Sequence, residues 1–170
     1  LARPAGAVLA DAAAMRARML RDLPPEGPWD VKAMPGGLVE VEFIAQALQL
    51  LHAAGAPGVR SPTTREALRR LGEAGFLPAG EAAALVRADR LWREAIGVLR
   101  LTAGRTRDAA LPAPAAAALL RIAAPLLDTP PVDLDGLRAQ MRDTARTVRA
   151  VFERRVGALP PANGAEGGGR

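Results

Sequence analysis

No stretch of the chain alternates apolar and polar residues over a useful length, whereas apolar residues three and four apart recur from one end to the other. The pattern predicts an all-α protein, a helical bundle of about six helices. The first helix begins at about Ala5 or Asp11 and runs to Leu23, with Met15, Met19 and Leu23 at helical spacing, until Pro24 and Pro25 stop it. Gly27 to Met34 reads as extended and Pro35-Gly36-Gly37 as a turn. The second helix runs from Leu38 to about Ala54. Val41, Ala45, Leu48 and Leu51 form one stripe, Ile44 and Ala47 widen it, and Phe43 and Leu50 lie on the far side. A nearly complete apolar circumference predicts a central helix, the most buried of the set. Its exception is Glu42, Gln46 and Gln49, spaced four and three, which should share one accessible or polar-lined face.

The third helix is expected to begin at Ser61-Pro62, with Thr63 and Glu66 as a capping box, and to end near Gly75. The fourth runs from about Gly80 to Leu101, with Leu85, Ala88, Trp92, Ala95 and Leu99 inward. Gly104 to Pro112 reads as a loop carrying Arg105, Arg107 and Asp108. The fifth, Pro114 to Leu127, carries Pro125 in its last turn. Asp133 or Asp135 caps the sixth, whose Leu137, Met141, Thr144, Val148, Val151 and Phe152 face inward. The expected division is a lead-in at 1–35, a bundle at 36–157 and a disordered tail at 158–170, where Pro, Gly and Ala dominate.

Composition narrows the chemistry. A chain of 170 residues suggests one domain. The absence of cysteine excludes disulfides, thiolate metal sites and a Cys nucleophile, and a single histidine, His52, excludes a multi-His metal cluster. Arg or Asp interrupts every apolar stretch, so no membrane span is expected and the chain should be soluble, while the absence of cysteine fits a reducing cytoplasm. The net charge of +5 invites a nucleic-acid reading, but arginines are scattered among acids and aromatics make up only 3%, too few for stacking platforms. No nucleic-acid partner is expected. Trp29 and Trp92 read as core anchors, and His52 as an ordinary cation at a helix C-terminus.

Lys32 is the one lysine against 22 arginines. Lys offers a compact point charge where Arg offers a planar fork, and a narrow slot facing one phosphate or carboxylate can require the former. Close by, Gly36 and Gly37 can take positive φ and let a ligand approach the backbone, ahead of a helix N-terminus that attracts anions. The alternative is a well-made helix start, in which the glycines only turn the chain and Glu40 complements the dipole.

The stretch Asp30-Val31-Lys32, followed by Pro35-Gly36-Gly37-Leu38-Val39-Glu40-Val41-Glu42-Phe43-Ile44-Ala45-Gln46, resembles a signature of glutamine synthetase adenylyltransferases. In that family it opens the helical domain that follows each nucleotidyltransferase domain. Arg60, Thr63, Glu66-Ala67-Leu68, Ala74-Gly75-Phe76-Leu77 and Leu91 to Leu101 extend the likeness, over roughly residues 10 to 155. The family has one half that adds AMP from ATP to a tyrosine of glutamine synthetase and another that removes it by phosphorolysis. Val39 in place of an arginine, and Trp92-Arg93-Glu94-Ala95-Ile96-Gly97 in the fourth helix, favour the adding half; the alternatives are the removing half, or a stand-alone helical binding module for an acidic partner or nucleic acid. The resemblance implies glutamine synthetase, the PII signal protein and an upstream nucleotidyltransferase domain as partners, with residues 1–35 leading in from that domain. It implies ATP and Mg²⁺ in the full-length enzyme and none bound by this chain alone. The family's Gly-Ser and Asp-x-Asp metal-binding pair is missing; Asp133-Leu134-Asp135 opens a helix and reads as a cap. The chain alone is therefore expected to be inactive, with no catalytic or metal-ligating residue of its own. Lys32 becomes the candidate phosphate contact, with Gly36, Gly37, Glu40, Glu42 and Gln46 as the remaining candidates for nucleotide binding.

Overall fold

The computed structural model describes residues 4–103 and 110–159. Six α-helices follow in chain order: α1 (Ala5–Asp22), α2 (Leu38–His52), α3 (Thr64–Glu73), α4 (Ala79–Thr102), α5 (Ala113–Ala123) and α6 (Leu134–Arg155). Single 3₁₀ turns sit at Pro57–Val59 and Ala124–Leu126. The described residues contain no strand, so the all-α expectation holds. The loop bearing Arg105, Arg107 and Asp108, and nearly all of the tail, lie outside the described residues.

The core follows from the apolar stripes. α2 packs against α1, α3, α4 and α6, and Val41, Ile44, Ala45, Ala47 and Leu48 are all closed off from solvent. Leu85, Ala88, Trp92, Ala95 and Leu99 bring the long α4 against it, and Leu137, Met141, Val148, Val151 and Phe152 close the bundle from α6. Burying each of the Val, Leu, Ile, Met and Phe side chains among them contributes roughly 1.5–3 kcal/mol before entropy is subtracted. On α6 it is Ala145 that is buried, while Thr144 is half-buried and returns its hydroxyl to the Gln140 carbonyl. Trp92 and Trp29 are both buried, as core anchors should be.

Helix ends follow local chemistry, with one departure. Asp133 caps α6, accepting the Gly136 N–H at 2.7 Å. Gly75, at φ +77°, reverses the chain after α3, and the Phe76 and Leu77 N–H groups return to the Leu71 carbonyl. Pro125 has no N–H to continue α5, which tightens into the 3₁₀ turn. The capping box at α3 does not form. Thr63 sits at the N-cap position without a side-chain cap bond, Pro62 precedes the helix, and Glu66 turns instead to Arg69 and Arg70. In α1 the expected stripe is also displaced. Met15 and Leu23 are exposed, and the residue that is buried is Arg16.

Candidate functional site

The segment before α2 is a knot of turns rather than an extended strand. The Asp30 carboxylate accepts from the Glu26 and Ala33 N–H groups, at 3.2 and 3.1 Å, and the Asp30 carbonyl accepts from Met34. The carbonyls of Val31 and Lys32 then accept from Leu38 and Val39 at 2.9 and 3.1 Å. The Gly37 N–H goes to Met34 and that of Glu40 to Gly37. A helix leaves its first N–H groups without intrahelical partners. Here the preceding turn consumes them, so the start of α2 offers no free backbone donors to an anion.

Gly36 has φ +74°, and a Cβ built there would stand 1.9 Å from the Ala145 carbonyl oxygen. Gly37 keeps an ordinary negative φ, but its Cβ would meet the Val31 oxygen at 2.5 Å. Both glycines are therefore required, and both are buried. What approaches them is backbone: α6 over Gly36, and the turn's own carbonyls over Gly37. The expected opening for a ligand at these two positions is filled.

Glu40, a candidate for nucleotide binding, is fully enclosed. One carboxylate oxygen accepts from Arg16 Nε and Arg149 Nη1, both at 3.0 Å, and the other from the Gly36 N–H at 2.9 Å. Arg16 also donates to the Ala33 and Met34 carbonyls at 2.8 and 3.1 Å. Burial lowers the Arg16 pKa from its ordinary value and Glu40 opposes that shift. One carboxylate thus ties α1, the turn, α2 and α6 together. Arg16 carried no signal as a buried residue, because periodicity alone places an arginine outward.

The polar face of α2 comes out as expected. Glu42 is half-buried and pairs with Arg93 at 3.0 Å, Gln46 is exposed, and the half-buried Gln49 accepts the Ser61 N–H at 2.7 Å. Arg93 continues to Asp89 at 2.9 Å, and Arg65 reaches the same buried carboxylate at 3.2 Å. Desolvation raises the Asp89 pKa, against the pull of Arg93 and Arg65. Asp89 was not among the sequence candidates; an acid four residues before an arginine, beside the apolar Leu85–Ala88–Trp92 stripe, was the signal available. Lys32 is exposed and, among the described residues, has no hydrogen-bond or ion-pair partner, since Asp30 faces backbone and Glu42 faces Arg93. His52 ends α2 and stacks on Phe76 at 3.9 Å.

Between the turn and α6 lies a cleft of ≈ 440 Å³. Trp29, Val31, Met34 and Met141 give it an apolar surface, and Arg138, Arg142, Arg146 and Arg149 line it from α6. Arg138 lies over the Trp29 ring, 5.6 Å from its centroid. The described residues hold no cluster of three or more His, Asp or Glu that could bind a metal, and no described helix is long and apolar enough to cross a membrane.

Residues 13–155 match the family model described as GlnD PII-uridylyltransferase. The chain is 36% identical over 158 residues to the bifunctional glutamine synthetase adenylyltransferase/adenylyl-removing enzyme of Rhodopseudomonas palustris strain HaA2, a match covering 92% of this chain and 16% of that protein. The enzyme of the same name from Bradyrhizobium sp. strain BTAi1 is 35% identical over 146 residues, 86% of this chain and 14% of its own length. The one from Caulobacter vibrioides is 51% identical over 84 residues, 49% of this chain and 8% of its own length. The chain therefore spans about one-sixth or less of these relatives. No solved structure matches it.

Proposed function

Since this chain belongs to the family described as GlnD PII-uridylyltransferase, and its curated relatives carry the name glutamine synthetase adenylyltransferase/adenylyl-removing enzyme, we propose that it is a helical domain of an enzyme that adds AMP from ATP to a tyrosine of glutamine synthetase. The observation that carries the reading is the extent of the likeness. It runs over 92% of this chain at 36% identity, so it spans the bundle rather than one motif. On this reading the bundle follows an upstream nucleotidyltransferase domain and acts in the cytoplasm, under the control of the PII signal protein.

The bundle's own part is to position, and the chemistry belongs elsewhere. Asp133, the one acid of the Asp133-Leu134-Asp135 run bonded to backbone, serves as the α6 cap, and Glu40 is spent on two arginines. Both carboxylates are thus committed to the protein's own donors, and no step through Mg²⁺ is assigned to this chain. Lys32 does fit an anion. It is an exposed cation with no partner among the described residues, on a turn held rigid by Asp30 and by the Glu40 network. It would meet a phosphate of ATP at the seam with the catalytic domain, with Glu42 and Gln46 on the neighbouring face of α2. Glu40, Gly36 and Gly37 would act by holding that turn in place.

The removing half is the second reading; Val39, buried where that half places an arginine, weighs against it. Incubation of the chain with labelled ATP, Mg²⁺ and glutamine synthetase should transfer no label. A longer polypeptide carrying it should transfer label, and should lose that activity when residues 5–155 are excised. Transfer by the chain alone would overturn the placement of the active site.

A further inference from the structure

We propose that the cleft between the Trp29–Pro35 turn and α6 is a docking groove for an extended acidic peptide segment that carries an apolar anchor. The proposal rests on the cleft itself and is independent of the enzymatic reading above.

The wall chemistry sets the class of occupant. Trp29, Val31, Met34 and Met141 supply an apolar floor, and the lining side chains include four arginines and no acid. Arg146 pairs with Asp143, Arg149 with Glu40 and Glu153, and Arg138 lies over Trp29. Arg142 is exposed and has no partner among the described residues. The groove therefore presents unneutralised positive charge beside apolar surface, and the complementary ligand is anionic with an apolar body.

The arrangement of the cations favours a peptide over a nucleotide. Arg138, Arg142, Arg146 and Arg149 follow one another along a single helix face. At about 1.5 Å of rise per residue their row is roughly 16 Å long, about the reach of five extended residues. A triphosphate is held by donors that converge, usually including backbone N–H groups at a glycine-rich turn. Here those N–H groups are consumed by Val31, Lys32, Met34 and Glu40. A linear row suits carboxylates spaced along a chain. The groove is also preformed. Arg16 and Arg149 clamp the turn and α6 through Glu40, so little ordering cost falls on binding.

The test uses the full chain and a dye-labelled eight-residue peptide alternating glutamate with leucine, followed by fluorescence anisotropy. Saturable binding is expected, and R142E should weaken it about tenfold or more. R90E, an equal charge change at an exposed α4 position outside the cleft, should leave it within about twofold. Peptides with lysine for glutamate, or serine for leucine, should bind far more weakly. Equal losses in R142E and R90E, or undiminished binding of the serine peptide, would reduce the effect to general charge attraction and overturn the proposal. So would saturable, R142E-sensitive binding of ATP with no binding of the peptide.

Discussion

Arg16 and Glu40 lie 24 residues apart in sequence and meet at 3.0 Å with side chains 1% and 0% exposed. The pair is not isolated. Arg149, 109 residues from Glu40, reaches the same oxygen, and the Gly36 N–H takes the other. Removing one member strands the rest, because a buried charge without its partner costs far more than the pair contributes. Glu40→Ala should therefore lower stability by about 3–5 kcal/mol. The triple variant R16M/E40L/R149M should recover much of that loss. Urea unfolding of each checks both; a wild-type midpoint for Glu40→Ala would refute the clamp.

Gly36→Ala and Gly97→Ala should move in opposite directions. A methyl at Gly36 meets the Ala145 backbone and is forced to φ +74°, whereas a methyl at Gly97, inside α4, meets nothing within 4 Å. The first should cost about 2–4 kcal/mol from overpacking and left-handed strain. The second should stabilise by about 0.5–1 kcal/mol through helix propensity. Thermal melts of the two variants decide it.

Asp133→Ala should cost about 1 kcal/mol, because its carboxylate caps α6. Thr63→Ala, at an N-cap position with no side-chain cap bond, should cost only a few tenths by the same reasoning. Equal losses at the two sites would contradict the cap assignments.

Asp89 gives the pH dependence a definite sign. Desolvation holds its folded pKa above the ordinary 3.8, so the folded state binds the proton more tightly than the unfolded chain does. Its favourable contribution is complete below the ordinary value and is lost as pH rises through the raised one. Asp89→Asn should flatten that decline, which chemical-denaturation midpoints across mildly acidic pH will reveal. A decline as steep in the variant would assign it to other groups.

Lys32→Ala, placed in the longer enzyme, should reduce nucleotide use about ten- to a hundredfold, the worth of one charge-assisted phosphate contact. Its melting temperature should barely change, since the side chain is exposed and makes no ion pair among the described residues. Lys32→Arg should also be impaired, because a planar fork does not replace a point charge in a narrow slot. A loss of stability with normal activity would reject the phosphate role.

The helices were legible in the sequence because their signals are local. Leu85, Ala88, Trp92, Ala95 and Leu99 recur at helical spacing and are all buried, Asp133 caps through a bond to a residue three positions on, and Leu38 to Ala53 reads as central from its own circumference, although Leu50 on its far side is exposed. The polar face of Glu42, Gln46 and Gln49 follows from the same arithmetic. Tertiary structure decided whatever depends on partners far along the chain. Nothing near Arg16 in sequence announces that Glu40 will pair with it or that Arg149 will reach the same carboxylate. The Pro35-Gly36-Gly37 run fits a ligand-cradling turn as well as a close helix contact, and only the arrival of Ala145 on α6 selects the second. The cleft has the same origin, since Trp29, Val31 and Met34 on its floor lie more than 100 residues from its row of arginines until the bundle closes. Periodicity reports which face of an element is apolar; which charge meets which is settled when packing takes both out of water.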